Sequence, residues 1–161
     1  MSVEVHGSAV KSVIEGCGVF QKRVKALLAE KGIMELDPEA WYSLDDVIAV
    51  ITGLAASVGN NLLLEIGKYI PKNSVFPPEV DSFEKAVVLL DVAYKMNHRN
   101  GNYGEYKCLQ EDSKTIRMIC NVPYPAMVNL GILRGFARRF QSFVVIEEVH
   151  MNGGGEFVIR L

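Results

Sequence analysis

The chain has 161 residues, 17 of them basic and 19 acidic, with a formal charge of −2 and 49% hydrophobic residues. This length and apolar content suit one domain with a sizeable core, and they exclude a disordered or fibrous chain. The charge balance argues against broad capture of nucleic acid, which needs a concentrated positive surface to displace counterions.

The first hundred residues read as mainly helical, because their apolar side chains recur at three- and four-residue spacing. Val10, Val13, Ile14, Cys17, Phe20, Val24, Leu27 and Leu28 form one stripe, with Gly32 as its stop. Asp37-Pro38 is a helix-start signal, and Trp41 and Tyr42 anchor that short turn. Ser43 with Asp46 starts the next helix, whose buried face is Val47, Ile48, Ile51, Leu54, Ala55 and Val58. Another helix covers Leu62 to Tyr69, and the three prolines of 71–78 predict an ordered loop. Asp81 with Glu84 opens a helix that ends near His98.

Beyond Asn100-Gly101 the period changes. Residues 104–110 and 115–121 predict a hairpin, and Tyr124 to Phe140 predicts a helix. A second hairpin, 143–150 and 156–161, turns at Asn152-Gly153-Gly154-Gly155. The expected fold class is α+β: N-terminal helices packed on a C-terminal antiparallel sheet of four strands, with a helix between two hairpins, all in a single domain of residues 1–161.

No catalytic constellation is visible, and His6, His98 and His150 lie far apart with no zinc-type spacing. The glycine run lies between strands, so it reads as a hairpin turn and not as a phosphate cradle, which feeds a helix. Tyr94 and His98 are one helical turn apart. With Met118 and Cys120 opposite them, they would line a small pocket for an apolar or aromatic ligand. Packing alone would also explain all four. Arg134 and Arg138, one turn apart beside Arg139, could share an anion or meet a partner, or form a solvated face.

Cys17, Cys108 and Cys120 show no paired spacing and read as reduced thiols. Met1 to Gly7 lacks the pattern of a signal peptide. The most apolar stretch, Val47 to Val58, is shorter than the ~20 residues a bilayer needs. A cytoplasmic protein without a membrane span is therefore expected.

Three segments carry a family resemblance: Asn121-Val-Pro-Tyr-Pro125, Gly131-Ile-Leu-Arg-Gly135-Phe-Ala-Arg-Arg-Phe140, and Val144-Val-Ile-Glu-Glu-Val149 before the glycine turn. Together they resemble the end of the heme nitric oxide binding-like superfamily, which includes vinyl reductase-type small-molecule-binding domains and Golgi transport adaptors. The resemblance implies a ligand-binding or regulatory module, often cytoplasmic and often a homodimer. In the heme-binding branch a helix similar to Ser82–His98 supplies a histidine after a Leu-Asp pair, and the next hairpin carries a Tyr-x-Ser-x-Arg clamp for the propionates. Here Leu90-Asp91 leads to Tyr94, His98 comes one turn later, and the clamp positions hold Met118, Cys120 and Val122. Vinyl reductase-type relatives carry cysteines at the terminal turn, and this hairpin has none.

The expectation is a non-enzymatic sensor with no cofactor and no metal. A dimeric protein-protein adaptor and a heme-dependent gas sensor are the alternatives.

Overall fold

A computed structural model describes residues 2–161; Met1, which begins the N-terminal stretch read above, lies outside them. Seven helices and two antiparallel sheets make an α+β fold. In chain order they are β1 (Glu4–His6), α1 (Gly7–Gly16), α2 (Gln21–Glu30), β2 (Trp41–Ser43), α3 (Leu44–Val58), α4 (Asn61–Asn73), α5 (Phe83–Val88), α6 (Leu90–Met96), β3 (His98–Arg99), β4 (Glu105–Asp112), β5 (Thr115–Asn121), α7 (Ala126–Arg139), β6 (Val145–His150) and β7 (Glu156–Arg160).

The C-terminal hairpin, helix, hairpin order holds, and its four strands form one sheet in the order β4-β5-β7-β6. Alternation sets its buried face: Ile116, Met118 and Cys120 of β5 point inward with Phe157 and Ile159 of β7. The N-terminal part is less purely helical than its period suggests. Three very short strands, two of them three residues long and one of two, form a second sheet in the order β2-β1-β3. Trp41 and Tyr42 are thus strand residues, paired with His6 and Val5.

Two predicted helices are each divided. The stripe from Val10 to Leu28 breaks after α1, where Gly18 takes φ +52°. The Asp81–His98 segment breaks at Leu89 into α5 and α6, after Ser82 has capped α5 by accepting from the Lys85 amide. The loop expected from Pro71 starts later, because α4 continues to Asn73 with Pro71 buried in its last turn. There the ring costs one backbone hydrogen bond and fills core space.

Helix α4 lies between α1 and α7, and glycines set both spacings. A Cβ on Gly16 of α1 would stand 2.5 Å from the Ile66 backbone of α4, and one on Gly67 of α4 would stand 2.1 Å from the Val128 carbonyl oxygen of α7. These crossings bring the C-terminal end of α4 and the start of α7 together under α6, where they wall a cavity. Among the described residues no helix is long and apolar enough to cross a membrane.

Candidate functional site

Tyr94 leaves the last turn of α6 and His98 opens β3, so the helical spacing seen in sequence puts both rings in one place, 4.1 Å apart between centroids. Pairing of His98 with Val5 of β1 fixes the backbone there. Three more tyrosines close the cluster: Tyr106 from β4, Tyr124 from the segment before α7, and Tyr103. Tyr94 meets Tyr106 at 5.1 Å and Tyr103 at 5.5 Å in edge-on geometry. The Tyr94 hydroxyl donates to the Tyr103 carbonyl at 2.6 Å.

Two hydrogen bonds define the state of His98. Its Nδ1 lies 2.8 Å from the Tyr94 carbonyl oxygen, which can only accept, so Nδ1 carries the proton. Its Nε2, 2.7 Å from the Tyr124 hydroxyl, is then the acceptor. The ring is neutral, and burial pushes its pKa down to about 4, against the hydrogen bond to the Tyr94 carbonyl, which favours the charged form. Burial raises the hydroxyls of Tyr94, Tyr106 and Tyr124 above the ordinary tyrosine range.

A pH dependence follows. The unfolded chain protonates His98 near pH 6.5, whereas the folded protein resists until about pH 4. The stability this residue confers is complete above the unfolded value and is lost as pH falls through that window, by about 3 kcal/mol in all. Urea unfolding at the two ends of the window should show the loss. His98→Gln should reduce it by that amount, because the surface carboxylates titrate alike in both proteins.

Beneath the cluster is a cavity of about 40 Å³, lined by Tyr94, His98, Tyr106 and Tyr124 together with Asn97, Ser74 and apolar side chains of α1, α4, α6 and α7. A water needs roughly 10–15 Å³ measured this way, so the space suits about three heavy atoms. It is too small for the aromatic ligand considered from sequence. The exposed wall is almost wholly apolar, and Ser74, one of the residues lining it, has a buried hydroxyl without a hydrogen-bond partner among the described residues.

Met118 and Cys120 do not line this cavity. They pair with Cys108 and Tyr106 and lie on the buried sheet face, with the Tyr106 ring reaching the cavity in their place. Burial, with a smaller contribution from Glu156, pushes the Cys120 thiol up to about 12, so it is inert at neutral pH. Arg134 is exposed on α7 away from the cavity, and Arg138 lines a separate groove between α4 and α7.

Sequence reasoning missed Tyr106, Tyr124 and Asn129. Asn129, 1% exposed, accepts from the Tyr106 hydroxyl at 2.5 Å and donates to the carbonyls of Tyr124 and Gly154 at 3.3 and 2.9 Å. It joins the aromatic cluster to the glycine turn. The one local signal was an asparagine on the apolar face of a predicted helix.

Comparison with solved structures decides the fold. An H-NOX protein from S. oneidensis in the Fe(II)NO ligation state is 12% identical and matches at a TM-score of 0.71, over 96% of this chain and 97% of that one. The chain has the H-NOX fold. An oxygen-binding H-NOX domain related to soluble guanylate cyclases, in its oxygen complex, is 16% identical at a TM-score of 0.66, over 96% and 93% of the two chains. A structure from work on heme distortion in the H-NOX family is 16% identical at a TM-score of 0.70, covering 96% and 94%. No protein-family model matches the chain, and no curated protein does.

The H-NOX fold raises the question of heme, and the residues present do not fit it. An imidazole whose Nδ1–H is held by a carbonyl is set up to offer Nε2 to a metal, but here Tyr124 donates its hydroxyl to that nitrogen. The Tyr94 hydroxyl is engaged by the Tyr103 carbonyl, and the rings of Tyr94, His98 and Tyr106 pack against one another around a space of only about 40 Å³. The clamp positions Met118, Cys120 and Val122 are buried and carry no cation.

Proposed function

We propose that the protein is a non-enzymatic sensor module on the H-NOX fold, in which a small uncharged molecule of about three heavy atoms occupies the Tyr94–His98 cavity directly, without heme. The observation that supports this most is the Ser74 hydroxyl. A buried hydroxyl left unpaired costs roughly 1–3 kcal/mol, and Ser74 is one of the residues that line a space large enough for a partner. A molecule with one polar end and an apolar remainder would meet Ser74 with the first and the apolar wall with the second. Cys17, Cys108 and Cys120 are all free thiols, which suits a reducing, cytoplasmic setting.

Amide NMR titration with methanol, formamide and ethanol tests the reading. The expected result is a saturable shift of the Ser74, Tyr94 and Asn97 amides, with ethanol, which has three heavy atoms, one polar end and an apolar remainder, ahead of methanol and formamide, and with that advantage lost in Ser74→Ala. No saturable shift with any probe sinks it. So does an intense, stoichiometric visible absorption band on titration with hemin, which would restore a heme-dependent gas sensor.

A further inference from the structure

The C-terminal ends of α4 and α7 converge outside the cavity on an open groove of about 520 Å³. The approach is close because Gly135 lacks a side chain: a Cβ there would stand 2.8 Å from the Lys68 carbonyl oxygen. Four cationic residues reach the groove, Lys68 and Lys72 from α4 and Arg138 and Arg139 from α7, against the single carboxylate of Glu65. In a chain of net charge −2 this is a local reversal of sign.

The four cations are not equally engaged. Lys68 pairs with Glu65 at 2.9 Å, and Lys72 lies 3.6 Å from Glu15. Arg138 has no carboxylate partner among the described residues. Arg139 is held in place: one Nη1–H donates to the Pro71 carbonyl at 2.8 Å, and its guanidinium lies 5.1 Å from the Phe140 ring. That leaves further N–H donors of a fixed planar fork, which suits a tetrahedral oxyanion. The negative ends of two helix dipoles favour cations in these last turns. They do not account for Lys68, a turn earlier, or for the convergence of all four on one concave surface. Tyr69 adds an aromatic wall, with the Lys72 ammonium 5.6 Å from its ring centre.

We propose that this groove is a binding site for a small phosphorylated molecule carrying at least two negative charges, bound through Arg138 and Arg139 with support from Lys72. The site is separate from the cavity and stands whether or not the cavity holds a ligand. Phosphate is the group because paired guanidinium forks and ammonium groups together match its oxygens.

Calorimetry with inorganic pyrophosphate at fixed ionic strength tests it, with sulfate and anionic lipid vesicles as separate arms. The expected result is one saturable site for pyrophosphate, bound more tightly than sulfate. Arg138→Gln, an exposed change, should weaken it about tenfold, the loss of one charge-assisted hydrogen bond. Arg134→Gln, outside the groove, should leave it unchanged. The proposal is overturned if pyrophosphate shows no saturation, if sulfate at the same ionic strength binds equally, if both arginine variants weaken binding alike, or if only vesicles bind.

Discussion

Gly67→Ala should lower the melting temperature by about 10 °C, the equivalent of roughly 3 kcal/mol in a protein of this size. The new methyl group would stand 2.1 Å from the Val128 carbonyl oxygen and 2.9 Å from the Gly131 Cα, both backbone atoms of α7. Backbone inside a helix cannot swing away as a side chain can, so α4 and α7 must separate, and the separation opens the Ile70, Val128 and Ile132 wall of the cavity. Gly53→Ala supplies the contrast. Gly53 is exposed on α3 with nothing within 4 Å of its Cβ position. Alanine there should be neutral or stabilise by up to about 1 kcal/mol, since it adds helix propensity without a clash. Equal losses at the two positions, read by calorimetry, would refute the argument from close approach.

Asn129→Ala should cost about 4 kcal/mol in urea unfolding, among the larger effects of any single side chain in this fold. The loss is large because one amide serves three buried groups, the Tyr106 hydroxyl and the carbonyls of Tyr124 and Gly154, and its removal leaves all three unpaired away from water. Tyr106→Phe removes one of those orphans. The double variant should therefore cost less than the sum of the two single changes, by about 1 kcal/mol, and strict additivity would show that the Tyr106–Asn129 bond does not couple them.

Much of the scaffold was legible in sequence where a signal was local. Ser43 does cap α3, accepting from the Asp46 amide at 3.3 Å, and Val47, Ile51, Leu54 and Ala55 are buried as their period requires. The C-terminal hairpins were legible because strand period and turn residues coincide there. The small sheet was not, since strands of two or three residues carry no period, and β1 finds its partners at residues 41–43 and 98–99. The same distinction divides the site. Tyr94 and His98 share a helical turn and could be paired by spacing alone. Tyr106 and Tyr124 come from other elements, and only tertiary packing brings them to those rings. Met118 and Cys120 share the buried face of their strand, but which side chain reaches furthest from the sheet is a matter of size. Tyr106, directly opposite Cys120, takes the position.

The order β2-β1-β3 also bears on how the chain folds. β1, at residues 4–6, is the central strand of its sheet, and its second neighbour is not made until residue 99. Helix α4 likewise waits for α7, at residues 126–139, before its glycine face has a partner. As the chain is made, β1 therefore stays half-paired until residue 99 follows and α4 stays half-covered until α7 follows, so the early helices cannot settle one by one. Closure of these long loops makes folding a late and concerted event, slower than the helix content alone would suggest.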